Sequence, residues 1–238
     1  MKAIAIIPAR GGSKRIPKKN IKNFLGKPLI AYSIEKALDS GLFSKVIVST
    51  DDKAIAKIAQ EYGAEVPFIR SSELADDFSS SGDVIVDAIE QLQKKGERFD
   101  YVCTIYATAP LLDVRYLKEG YEKLKNSDAR MSFSVTSMPF PIQRTFKITK
   151  DERCEMFWPE NFLTRSQDLE EAYQDAGQFY WEKMGIEAKD ITFGSESIPI
   201  VLPRYLVQDI DTPEDWIRAE MLYKIVYANE CDSKNRKI

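Results

Sequence analysis

The chain opens on Ala3-Ile4-Ala5-Ile6-Ile7, a continuous apolar run stopped by Pro8 and then by Gly11-Gly12. A strand buried on both faces reads this way, which predicts a place inside a sheet. After a long polar loop, Pro28 begins a stretch with apolar residues at helical spacing as far as Leu38, and Gly41 follows as a stop. The alternation continues with a strand over 45–49, a helix over 52–62 ended by Gly63 and a helix over 82–95 ended by Gly96. A strand over 101–106, a helix over 114–124 and a strand over 131–136 follow. Strands alternating with helices predict an α/β fold, a mostly parallel sheet flanked by helices in three layers.

Between 137 and 173 this rhythm breaks into Met138-Pro139-Phe140-Pro141, a charged stretch over 147–155, and Phe157-Trp158-Pro159. Prolines and aromatics outside a regular element predict an inserted arm or lid. A dimer contact is favoured over a free loop, because a monomer rarely leaves such aromatics in water. The pattern resumes with strands over 178–181 and 198–202 and an amphipathic helix over 213–228, within a single domain spanning 1–238. The polar stretch 229–238 is expected to fray.

Composition narrows the chemistry. The 238 residues carry 34 Lys and Arg against 37 Asp and Glu, a formal charge of −3, with 44% hydrophobic and 11% aromatic residues. That suffices for a core, and it lacks the one-signed basic field that draws proteins to nucleic acid or anionic lipid. Histidine is absent, which excludes Ser-His-Asp and Cys-His pairs and imidazole metal ligands. Chemistry must use carboxylates, lysine, arginine, hydroxyls or a bound metal. Cys103, Cys154 and Cys231 are widely spaced without CxxC, which fits a reducing cytoplasm. The apolar stretch before Arg10 is too short for a signal peptide or a membrane span.

The loop after the first strand, Pro8-Ala9-Arg10-Gly11-Gly12-Ser13-Lys14-Arg15-Ile16-Pro17-Lys18-Lys19-Asn20, concentrates cations, two glycines and a serine. Such a loop suits a polyphosphate: glycines admit close backbone approach, arginine supplies a planar fork and lysine a point charge. A solvated basic turn is the bland alternative, but ligands of open α/β sheets bind beyond the carboxyl ends of strands, where this loop falls. Its spacing matches neither GxxxxGK[ST] nor GxGxxG. Near the other end, Asp209 and Asp211 follow the apolar run Tyr205-Leu206-Val207, and on a strand both carboxylates would face one side. That arrangement suits a hard divalent cation, while Asp211-Thr212-Pro213-Glu214 also reads as a helix start with Asp211 or Thr212 capping.

Taken in order, the loop signature, Val48-Ser49-Thr50-Asp51-Asp52, Arg70-Ser71-Ser72-Glu73-Leu74 with Ser79-Ser80-Ser81, Thr108-Ala109-Pro110-Leu111 and Asp209-Ile210-Asp211-Thr212 resemble the cytidylyltransferases that activate nine-carbon sugar acids, the CMP-sialic acid synthetase family. The stretch from Pro159 through Thr164-Arg165-Ser166 to Gln178-Phe179-Tyr180-Trp181 is similar to the pseudaminic acid branch. Tyr106-Ala107-Thr108-Ala109-Pro110 and Gln174-Asp175-Ala176-Gly177 stand where the sialic acid enzymes typically carry Gln-Pro-Thr-Ser-Pro and Arg-Pro-Asn-Gly. A tyrosine in place of a glutamine suits a diacetamido, deoxy acid with more apolar edge.

The resemblance implies a Rossmann-like nucleotidyltransferase in which CTP and a nine-carbon sugar acid react with a magnesium ion, in a homodimer. It implies Arg10, Lys19 and Asp211 as catalytic, with Ala9, Arg10, Gly11, Gly12, Ser13, Lys14, Asn20, Arg70, Ser79 and Ser80 around the nucleotide. Ser79 to Ser81 read equally as the polar entry to a helix. Tyr106, Thr108, Arg165, Gln178 and Tyr180 are the expected sugar contacts, and Asp209 and Asp211 the metal ligands. Arg165 falls in the arm, from which it could serve the other subunit's site. Trp158 and Phe157 are expected at an interface, and Trp181, Trp216 and Cys103 in the core. Legionaminic or N-acetylneuraminic acid is the alternative acceptor, and a non-catalytic sugar-nucleotide binding protein is the alternative of another class.

Overall fold

The apolar run at the start forms β1 (Ala3–Pro8), buried along all but its last residue. The structure, a computed structural model, describes residues 1–74, 80–185 and 192–228. Following β1 are the short pair β2 (Asn23–Phe24) and β3 (Lys27–Pro28), then α1 (Leu29–Ser40), β4 (Lys45–Ser49), α2 (Lys53–Glu61) and α3 (Ser81–Lys94). Next come β5 (Tyr101–Ile105), α4 (Val114–Lys125), β6 (Met131–Ser137), the hairpin β7 (Phe146–Ile148) and β8 (Cys154–Met156), β9 (Tyr173–Lys183), β10 (Ser197–Val201) and α5 (Pro213–Val226).

Six strands form one sheet in the order β10-β6-β9-β5-β1-β4. β4, β1 and β5 are parallel, β10 and β6 are parallel, and β9 runs antiparallel between β5 and β6. Strand alternation divides β1 between two layers. Ala5 and Ile7 join Ile30 and Ile34 of α1 and Leu117 of α4 on one face. Ile4 and Ile6 join Ile85, Ile89 and Leu92 of α3 on the other. Trp181 and Cys103 are fully buried and Trp216 nearly so, as expected. No described helix is long and apolar enough to cross a membrane.

Two elements differ from the sequence reading. The strand expected over 178–181 is an eleven-residue strand. A register shift between Phe133 and Val135 and a left-handed Gly177 (φ 61°) interrupt its alternation, so the polar Tyr173-Gln174-Asp175 portion gives no periodic signal. No strand carries Asp209 and Asp211. After Pro203 the chain makes a 3-10 turn at Arg204–Leu206 and stays irregular up to α5. The segment 137–173 expected as an arm contains the β7-β8 hairpin and leaves Phe140, Phe157, Phe162 and Leu163 exposed.

A separate cluster fixes the basic loop to the end of the chain: Ile16, Phe24, Leu29, Tyr32, Ile210, Trp216 and Ala219. Phe24 is fully buried, with its ring edge-on to Tyr32 and Trp216 at 5.4 Å each and to Tyr223 at 5.8 Å. Phe24→Ala should lower unfolding free energy by about 3–5 kcal/mol, measured by urea denaturation, because three aromatic rings lose their common centre.

Candidate active site

β1 delivers the loop to the carboxyl ends of the parallel strands, and two contacts shape its first turn. The Gly11 amide donates to Asp51 Oδ1 at 3.0 Å. A Cβ on Gly11 would stand 2.8 Å from Asp52 Oδ2 and 3.0 Å from Asp52 Cβ. Asp52 has little room to yield, since its carboxylate caps α2 by accepting from the amides of Ala54 and Ile55 at 2.6 and 3.3 Å. Glycine here is a packing requirement, and its amide serves the loop itself.

At the far end of the loop, Ile16 is buried against Ile210 and Trp216. Lys18 takes a left-handed conformation (φ 53°) that opens a 3-10 turn at Lys19–Ile21. Asn20 Nδ2 donates back to the Arg10 carbonyl at 3.0 Å, closing the loop on itself. Lys19 Nζ donates to the Ile210 carbonyl at 2.6 Å and to Asp211 Oδ1 at 3.3 Å. Arg15 Nη2 lies 2.9 Å from the other oxygen of the same carboxylate.

These constraints surround a cleft of about 330 Å³. Its described walls bring together Arg10, Lys14, Arg15, Lys19 and Arg70 with one carboxylate, Asp211. Arg70 is the most constrained cation. Its side chain is 3% exposed, its Nη2 reaches Asp51 Oδ1 at 3.4 Å, and its buried Nε has no partner among the described residues. Desolvation holds the guanidinium below its ordinary range, opposed by Asp51. An anion in the cleft would offset the cost of this buried charge.

The expected residues divide clearly. Arg10, Ser13, Lys14, Lys19, Asn20, Arg70, Ser80, Tyr106, Thr108 and Asp211 line the cleft together. Ser80 also caps α3 through a capping box with Asp83, as the helix-entry reading expects. Ala9 is buried in the core, and neither Gly11 nor Gly12 is among the lining residues. Ser79 lies outside the described residues. Thr212, with Asp215, forms the capping box of α5, which leaves the Asp211 carboxylate to the cleft. Asp209 is not among the lining residues, yet desolvation and then the charge of Asp211 hold it above the usual carboxylate range.

A second cavity of about 180 Å³ adjoins the first, sharing Ser81 and Tyr106 with it and lined also by Tyr180. The Tyr180 hydroxyl donates to Asp175 at 2.8 and 2.7 Å, and its ring tilts against Tyr106 at 5.2 Å. Burial and these neighbours push the phenol far up, so it stays a donor. Gln178 reaches neither cavity: it is buried, and Nε2 donates to the Leu206 carbonyl at 2.5 Å. Arg165 lies out in the arm, with a side chain 71% exposed and forked onto Asp168 at 2.5 and 3.0 Å. Sequence reasoning gave no role to Asp51, which ties Gly11 to Arg70, nor to Arg15. Their signals were the Asp51-Asp52 pair after β4 and the continuity of the basic run.

Residues 4–188 match the family model described as cytidylyltransferase. The chain belongs to the cytidylyltransferase family. Along 94% of its length this cytidylyltransferase is 49% identical to the pseudaminic acid cytidylyltransferase of Campylobacter jejuni, covering 97% of that protein. It is 34% identical over 94% of its length to the CMP-N,N'-diacetyllegionaminic acid synthase of Legionella pneumophila, again covering 97%. Its fold resembles the solved structure of CMP:2-keto-3-deoxy-manno-octonic acid synthetase complexed with CTP, with a TM-score of 0.66 at 18% identity, over 94% of this chain and all of that one. The chain is thus a nucleotidyltransferase, and its five-cation cleft has the charge for a nucleotide's phosphates.

Gly11→Ala should cost this cytidylyltransferase about 1–3 kcal/mol, from crowding and the displaced cap. In urea titrations the loss should fall well short of additive with Asp52→Ala, because both changes disturb one cap.

Proposed function

We propose that this cytidylyltransferase transfers CMP from CTP to the anomeric hydroxyl of pseudaminic acid, releasing pyrophosphate and forming CMP-pseudaminic acid. The observation that carries the reaction is the cleft: five cations around about 330 Å³ at the carboxyl ends of the parallel strands. The choice of acceptor rests on 49% identity, over almost the whole chain, to a pseudaminic acid cytidylyltransferase. Legionaminic acid is the second reading, favoured by the 34% identity to the Legionella synthase. A purely binding role has little use for so many cations assembled around one site.

In this reading Arg10, Ser13, Lys14 and Asn20 hold the triphosphate, and Arg70, Ser80 and Ser81 flank the nucleoside end. The sugar's anomeric oxygen attacks the α-phosphorus, and the bond to the β-phosphate bridging oxygen breaks. Charge grows on the departing pyrophosphate, where Arg10 and Lys19 are placed to stabilise it. Phosphoryl chemistry of this kind depends on positioning and charge, so a chain without histidine lacks nothing it needs.

The donor set fits a divalent cation. Asp209 is held protonation-prone partly by Asp211, a repulsion that a hard cation would relieve, and magnesium needs only one or two protein carboxylates beside phosphate oxygens. Asp211 would hold the ion with Asp209, and the bound ion would neutralise phosphate charge. Arg15 and Lys19, now on Asp211, would then turn to the phosphates. The exposed aromatics of the arm support a homodimer, in which Arg165 would serve the partner's acceptor.

Pyrophosphate release should be measured with CTP and magnesium, offering pseudaminic, legionaminic and N-acetylneuraminic acids separately and weighing each product. Turnover confined to pseudaminic acid is expected; preference for another acid would overturn the assignment of acceptor, and none with any acid would overturn the reaction. Chelation should abolish turnover, and Asp211→Asn should raise the magnesium concentration at half-maximal rate by about tenfold or more, as expected for the loss of one charged ligand.

A further inference from the structure

The most buried cation of the cleft is held by a carboxylate that is not among the residues lining it. Arg70 reaches the cleft from the segment after α2, its amide donating to the Thr50 carbonyl at 2.9 Å and its side chain 3% exposed. The next residue after Thr50 supplies the counter-ion. A single oxygen, Asp51 Oδ1, accepts from Arg70 Nη2 at 3.4 Å and from the Gly11 amide at 3.0 Å. That oxygen ties together two parts of the cleft: the basic loop after β1, and the stretch where Arg70 stands with Leu74, Ser80 and Val84.

The two ties are unequal. The loop has other fastenings, since Asn20 closes it on the Arg10 carbonyl and Ile16 anchors it in the Phe24 cluster. The Arg70 side chain has Asp51 as its one acceptor among the described residues, and its buried Nε has none. A buried guanidinium deprived of its counter-ion is driven toward water. Loss of Asp51 would therefore release Arg70 and spare most of the loop.

We propose that Asp51 is a positioning residue for the nucleotide and acts through Arg70, fixing the guanidinium in register with the basic loop so that one ligand meets both. Contacts fixed in advance raise affinity by cutting the cost of ordering them. The inference rests on the reading of the cleft as a CTP site. Pyrophosphate, which needs only the loop, does not depend on this register.

The test is calorimetric titration of the full chain with CTP and, separately, with pyrophosphate. Asp51→Ala should raise the Kd for CTP about ten- to a hundredfold, the range for a hydrogen bond to a charged group. Pyrophosphate should bind at least as tightly as before, because the cleft has lost a nearby negative charge. In an Arg70→Ala background the same change should cause no further loss of CTP affinity. Asp51→Asn keeps an acceptor oxygen without the charge, and should leave a smaller loss, about three- to tenfold. A carboxylate that only kept the loop in shape would weaken both ligands alike, and that result would overturn the proposal, as would additive losses for Asp51→Ala and Arg70→Ala. If Asp51→Ala fails to fold, Asp51→Asn decides: unchanged CTP affinity, or an equal loss for pyrophosphate, would overturn it. An unaltered chain that does not bind CTP would instead sink the reading of the cleft, and the role of Asp51 with it.

Discussion

Mutual repulsion among five cations crowded into one cleft is the constraint on which this structure depends. Such a group is stable without its anion only if the protein supplies temporary partners and rigid supports. Asp51 partners Arg70, while Asp211 and the Ile210 carbonyl partner Arg15 and Lys19. The supports are apolar: Ile16 is held in the cluster of Phe24, Ile210 and Trp216, so a loop that is almost wholly polar is anchored by one buried side chain. Charges held close to their place before an anion arrives keep the reorganisation small when one does, which is the condition for electrostatic stabilisation of a charged transition state.

The carboxylates around the cleft have distinct tasks set by their places in the chain. Asp51 and Asp52, adjacent at the end of β4, divide into a tie for Gly11 and Arg70 and a cap for α2. Asp211 and Asp215 divide similarly at the start of α5, where Asp215 completes the capping box and Asp211 is left to the cleft. In both places one acid satisfies helix amides that would otherwise lack acceptors, which frees its neighbour for electrostatic work.

The antiparallel β9 gives the site its second half. Inserted between β5 and β6, it sends Phe179 and Trp181 into the core and Tyr180 and Glu182 toward the cavity beside the cleft. A strand inserted against the prevailing direction therefore gives the same sheet a second cavity beside the cleft without disturbing the basic loop that follows β1. The tie from Gln178 to Leu206 links this strand to the segment that leads to Asp211, so the two halves are mechanically connected.

The order of strands and helices was legible in the sequence because burial on two faces and helical spacing each leave a local pattern. The basic loop was legible too, since its charges are consecutive, as was Asp211 beside its helix start. Gln178, Asp209 and Gly11 show where that ends. A strand hypothesis for 205–211 put Asp209 and Asp211 on one side by alternation, but Pro203 and the 3-10 turn leave no strand there. Gln178 was a plausible sugar contact by type, and burial gave it to a backbone carbonyl. Gly11 marked the phosphate loop, yet the Asp52 contact that requires it crosses between two strands. Asp51 holding Arg70 and Glu182 lining a cavity are likewise facts of pairing between distant segments. Local periodicity determined the elements and the charge of the loop; which side chains meet was decided only when the sheet order brought β1, β4, β9 and the start of α5 together, because contacts across strands leave no mark on the residues next to them in the chain.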